Sequence, residues 1–116
     1  MRLLVCGGRD YADKWRVIDE LDRIQSARSP ILVVIHGCAT GADLHAEMWA
    51  ESRKRKALGF RAEWQKHGKK AGPLRNQRMI DEGKPDLVVA FPGGKGTADL
   101  VSRAHQAGIE VIEVKP

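Results

Sequence analysis

Short apolar runs alternate along the chain with segments of helical period, as a parallel sheet covered by helices requires. Five strands fit, at residues 2–6, 31–35, 59–64, 86–91 and 110–114. The fourth reads as a buried strand, whereas in the third Phe60, Ala62 and Trp64 alternate with polar residues and mark a sheet edge. Between the strands, Val17, Ile18, Leu21 and Ile24 form one apolar helical face, and Ala42, Ala46, Trp49 and Ala50 form another. A third helix starts after Pro73, which suits a first turn, and carries Leu74 and Met79 with Ile80. A fourth follows a Thr97 cap, with Leu100, Val101 and Ala104 inward. Residues 65–73 are the longest irregular stretch, and such loops often carry function. Right-handed crossovers then favour an α/β doubly wound sheet of strand order 3-2-1-4-5. This order sets strand 1 beside strand 4, where the following loops diverge and open a crevice.

Composition narrows the class without changing that picture. The 116 residues suit one domain, 1–116, with one modest core and one site. Hydrophobic residues make up 42% and charged residues 30%, ordinary for a soluble globular protein and far from disorder. No apolar run reaches membrane-spanning length, and Met1 to Cys6 is too short for a secretory signal, so no membrane partner and a cytoplasmic setting are expected. Cys6 and Cys38 lack zinc or redox spacing, which predicts reduced thiols, no metal site and no cofactor. The net charge of +5 is concentrated mid-chain. Arg53-Lys54-Arg55-Lys56 falls where the second helix should end and complements its dipole. Lys66, Lys69, Lys70, Arg75 and Arg78 are better placed to bind a polyanion.

Three loops at strand ends carry the candidate chemistry. Pro92-Gly93-Gly94-Lys95-Gly96-Thr97 reads as an anion-binding turn, since its glycines admit a ligand close to the backbone and a helix N-terminus follows; a plain strand-to-helix turn also fits. In Gly7-Gly8-Arg9-Asp10, Arg9 can clamp phosphate and Asp10 can accept from a ribose hydroxyl; a surface turn closed by an Arg-Asp pair also fits. In His36-Gly37-Cys38-Ala39-Thr40-Gly41-Ala42-Asp43, Thr40 and Asp43 have capping-box spacing, while Gly37 and Gly41 suit close approach by a ligand. Arg75, Asn76 and Arg78 open the third helix and can reach the same sheet edge, though a solvated helix face also accounts for them.

Read together, Gly7-Gly8-Arg9-Asp10, His36-Gly37-x-Ala39-x-Gly41-Ala42-Asp43, Arg75-Asn76-x-x-Met79 and Pro92-Gly93-Gly94-x-Gly96-Thr97 resemble the small YspA-type members of the SLOG superfamily over nearly the whole chain. The resemblance implies a Rossmann-like α/β/α domain that binds nucleotides or nucleotide-derived ligands, as a sensor or an enzyme. The LONELY GUY phosphoribohydrolases have a similar Arg-x-x-x-Met segment, matched by Arg75 and Met79, and a similar glycine loop. Their closing catalytic glutamate falls on Leu100 here. Asp99 is adjacent, but one residue turns a side chain about 100° around a helix. The DNA-processing protein A family, which binds single-stranded DNA, has segments similar to His36–Asp43 and Arg75–Arg78.

Three functions follow as expectations. In the first, the crevice binds a nucleotide-derived small molecule such as an ADP-ribose-like ligand, with phosphate on Gly93, Gly94, Gly96 and Thr97. In the second, the chain hydrolyses an N-glycosidic bond, with Arg75, Asp99, Asp43 and Asp10 as candidate catalytic residues. The third is single-stranded nucleic-acid binding, disfavoured because Trp15, Trp49 and Trp64 read as helix-face or strand residues. Self-association through Trp49 or Trp64 is a further expectation.

Overall fold

The computed structural model describes residues 1–116. Five strands, β1 (Arg2–Cys6), β2 (Val33–His36), β3 (Lys56–Gly59), β4 (Leu87–Ala90) and β5 (Val111–Glu113), form an all-parallel sheet in the order β3-β2-β1-β4-β5. The expected topology is therefore present, with β3 on an edge. The helices are α1 (Lys14–Ala27), α2 (Ala42–Ser52), α3 (Trp64–His67), α4 (Ala71–Asp81) and α5 (Lys95–Gln106), and a 3-10 turn at Gly68–Lys70 joins α3 to α4.

Strand β1 is the keel of the sheet, and its sequence accounts for the layering. Leu3 and Val5 face the side covered by α1 and α2, packing with Val17, Leu21, Ala46 and Trp49. Leu4 and Cys6 face the other side, against Met79 and Ile80 of α4 and Leu100 and Ala104 of α5. A strand buried on both faces must read as an unbroken apolar run. Each such side chain contributes about 1.5–3 kcal/mol by leaving water. Hydrogen bonding joins the two inner strands that lead to the site: β1 pairs with β4 from Leu3↔Leu87 to Cys6↔Ala90, and Phe91 N donates to Cys6 O at 2.9 Å.

Several expectations need correction. The third strand is Lys56–Gly59 rather than 59–64, because α2 stops at Ser52 and Lys54 turns the chain with φ of +56°, so Lys56 already pairs with Val33. Arg53 does lie at the helix end, where it is ion-paired to Asp22 at 2.9 Å. Phe60 is buried, but Trp64 lies on no strand; it opens α3 and is 50% exposed. Residues 65–73 are almost wholly helical, and α4 begins at Ala71, which leaves Pro73 in its first turn. Leu74 is exposed, whereas Met79 and Ile80 are buried as expected. Helix α5 begins at Lys95, so Thr97 is inside its first turn and Gly94 is the cap. Trp49 is buried and its indole N–H donates to Asp22 at 2.9 Å, which removes it as an association surface; Trp15 is exposed rather than packed. No helix is long and apolar enough to cross a membrane.

Candidate functional site

At the carboxyl ends of β1 and β4, where the order reverses, a crevice of about 1000 Å³ opens. Its walls come from the loops after β1, β2 and β4 and from α3, α4 and α5. The loops after β1 and β4 are stitched across the switch point by Gly8 N donating to Pro92 O at 2.9 Å. The loop after β1 is also tied to the start of α2. There Ala42 N donates to Gly8 O at 3.3 Å and the Thr40 hydroxyl to Arg9 O at 2.8 Å. Gly41 makes that closeness possible: its φ is +73°, and a Cβ would overlap the Gly8 and Arg9 carbonyls.

Asp43 is buried, and its Oδ2 accepts from Gly37 N at 2.9 Å and Ala39 N at 3.3 Å. It therefore organises the loop after β2 rather than closing a capping box with Thr40, and Gly41 takes the cap position with no side-chain bond. Burial pushes the Asp43 carboxyl above its ordinary value, opposed by these two amides and by the His36 and Arg75 charges.

Arg75 donates from Nη1 to Gly37 O at 2.6 Å and from Nε to Asn76 Oδ1 at 3.0 Å, which fixes the guanidinium plane against the crevice wall. Burial pulls its pKa below the ordinary value. Asn76 is buried and donates to Gly96 O at 3.1 Å and Asp99 Oδ2 at 3.0 Å, so it ties α4 to the first turn of α5. Asp99 also accepts from Arg103 Nε at 2.8 Å. Burial raises the Asp99 carboxyl, but the hydrogen bonds from Arg103 and Asn76 and the Arg103 charge more than reverse that and hold it below the ordinary range.

The α5 N-terminus forms one end of the crevice. No side chain caps it, and a Cβ at Gly94 or Gly96 would meet nothing within 4 Å, so both face open space along the crevice. Gly93 is different, since a Cβ there would run into the Thr97 hydroxyl. Arg9, Lys69, Arg75 and Lys95 are the basic side chains of the lining, against Asp10, Asp43 and Asp99.

Among the residues singled out in the sequence, Gly7, Gly8, Arg9, Asp10, Gly37, Asp43, Arg75, Asn76, Gly93, Gly94, Gly96, Thr97 and Asp99 line this crevice. Five do not. His36 and Thr40 line a separate cavity of about 390 Å³, where His36 Nδ1 accepts from Cys38 N at 3.0 Å. Gly41 and Pro92 support the loops through backbone geometry. Arg78 is drawn outward to Glu82 at 3.2 Å and stacks 5.4 Å from the Phe60 ring centroid. Leu100, which stands at the position of the LONELY GUY family's catalytic glutamate, is buried among Leu4, Val88 and Ala104 and lines the floor of the crevice. No group of three or more His, Cys, Asp or Glu side chains is gathered where it could hold a metal ion.

Trp64 was missed as a lining residue, and its guanidinium neighbour is Arg9, whose Cζ is 5.8 Å from the ring centroid. One signal was available: Gly7 and Gly37 immediately follow β1 and β2, and Gly59 closes β3 in the same way, which stops the third strand before Phe60.

The model of the YspA, cpYpsA-related SLOG family matches residues 1–67, which contain the loops after β1 and β2 and reach into α3. The chain belongs to that SLOG family. Gene 61 protein of Mycobacterium phage D29 is 42% identical to this SLOG chain over 120 residues, covering 96% of this chain and 94% of the relative. The X-ray structure of DNA processing protein A from Streptococcus pneumoniae superimposes with a TM-score of 0.75 over 99% of this chain. The chain spans 50% of that protein's length, and at 16% identity the likeness is one of fold. That fold likeness agrees with the Rossmann-like parallel sheet of this chain.

Proposed function

We propose that the crevice binds a nucleotide or nucleotide-derived ligand, such as an ADP-ribose-like molecule, with a phosphate at the first turn of α5. The observation that carries this reading is the uncapped start of a 12-residue helix, with Gly94 and Gly96 bordering open space and Lys95, Lys69, Arg9 and Arg75 around it. Free backbone N–H groups and the helix dipole favour an anion there, and the cations neutralise its charge. Asp10 is in the same lining and suits a ribose hydroxyl.

Cleavage of the ligand is less well supported than binding. Asp99 is engaged by Asn76 and Arg103, and Asp43 by two backbone amides, so both carboxylates already have structural partners. The test is mass spectrometry of small molecules released from freshly purified protein, followed by calorimetry of the stripped chain with AMP, ADP and ADP-ribose. The expected outcome is a co-purified or titrated nucleotide recovered intact. No released ligand and no heat with any of the three would overturn the reading, and free base in the incubated samples would replace binding with hydrolysis.

A further inference from the structure

A phosphate at α5 leaves the indole of Trp64 without a task, although it forms part of the same wall. The ring is half exposed and stands over Gly72 of α4, where a Cβ would approach its Cη2 to 3.5 Å. Arg9 covers it from the loop after β1 and forms no ion pair with any carboxylate. A single exposed aromatic is ordinary on a protein surface. Position distinguishes this one, because Trp15 is more exposed and has Lys14 over its ring at 5.1 Å, yet lies outside the crevice.

A guanidinium and a nucleobase make the same demand of an indole: both are flat, and both stack on its π face. We propose that the crevice takes the base of its ligand on the face of Trp64, with Arg9 exchanging the ring for the ligand's phosphate. The assignment rests on the nucleotide reading of the crevice. It gives the site two ends, an aromatic one at the start of α3 and an anionic one at the start of α5. Specificity at the aromatic end is for a planar base rather than for a particular hydrogen-bonding edge.

AMP and ribose 5-phosphate differ only in the base, so calorimetry with both isolates the stacking end. Trp64→Leu is expected to weaken AMP binding by about tenfold and not to weaken ribose 5-phosphate, whose phosphate no longer has to draw Arg9 from the ring. Trp64→Phe keeps most of the AMP affinity, and Trp15→Leu alters neither. In the unsubstituted chain, the adenine H2 and H8 resonances of AMP should move upfield on binding through the indole ring current. Unshifted adenine resonances, AMP affinity undiminished in Trp64→Leu, or equal weakening of both probes would overturn the base assignment while leaving a nucleotide site intact. Should ADP-ribose bind where AMP does not, Trp64→Leu must weaken ADP-ribose and its adenine resonances must move upfield, or the base assignment falls. If none of the nucleotides bound the unsubstituted chain, both readings would fall together.

Discussion

Asp99 joins α4 to α5 through Asn76 and holds Arg103 on its own helix, so its charge matters for folding as well as for the crevice. Its folded pKa lies below the ordinary carboxylate value, for the reasons of bonding given above. The stabilisation it brings is therefore complete above about pH 3.9, the unfolded value, and is lost as the pH falls through the depressed folded value. Asp43 has the opposite sign. With its pKa raised by burial, its contribution is complete below the unfolded value and declines as the pH rises through the folded one. Urea unfolding between pH 2.5 and 6 should separate the two. Asp99→Asn is expected to be less stable than the parent chain at pH 6, and the gap should close toward the acid end. A gap independent of pH would mean that the Asp99 charge has no part in joining the helices.

The two helices that start at the crevice use glycine in opposite ways. At the start of α2, Gly41 has a positive φ and lies against the Gly8 and Arg9 carbonyls, so Gly41→Ala should cost about 1–3 kcal/mol by forcing the loops apart. In the first turn of α5, Gly96 has free space at its Cβ, and Gly96→Ala should hold or raise stability by up to about 1 kcal/mol through helix propensity. The added methyl would nevertheless stand where a phosphate is proposed, so nucleotide affinity should fall in a chain that is no less stable. Chemical unfolding and calorimetry on the same samples check both, and unchanged affinity in Gly96→Ala would remove the phosphate from that turn. These two glycines also mark what was legible in the sequence. Strand number, order and the loops meeting at the switch point follow from apolar runs and crossover handedness, which depend on local pattern and chain topology. Whether Thr40 caps α2 or bonds Arg9 O depends on a contact 31 residues away, and no local spacing encodes it. Trp64 was obscured for a related reason: its alternation with Phe60 and Ala62 is of strand type, but the register was already taken by Lys56–Gly59 pairing with β2.

At the scale of the molecule, the question is whether the net charge of +5 serves a polymer or a compact anion. Parallel strands put the crevice at their carboxyl ends, whereas Arg53–Lys56 leads into the amino end of β3 and so lies at the far edge of the sheet. Part of that run is neutralised, with Arg53 paired to Asp22. The crevice itself mixes four basic side chains, Arg9, Lys69, Arg75 and Lys95, with three carboxylates. A strand of DNA needs a continuous cationic track, and this distribution divides it; a small phosphate ester needs only the local cluster. Even if all four crevice cations engaged phosphates of a single strand, the logarithm of affinity would fall with the logarithm of salt at a slope of about −2.8. Anisotropy of a labelled oligothymidine from 20 to 200 mM salt should therefore give weak binding with a slope no steeper than that, displaced by AMP where it occurs. A steeper slope, with binding that survives the highest salt and resists AMP, would mean that cations beyond the crevice form a track and that single-stranded nucleic acid is the partner.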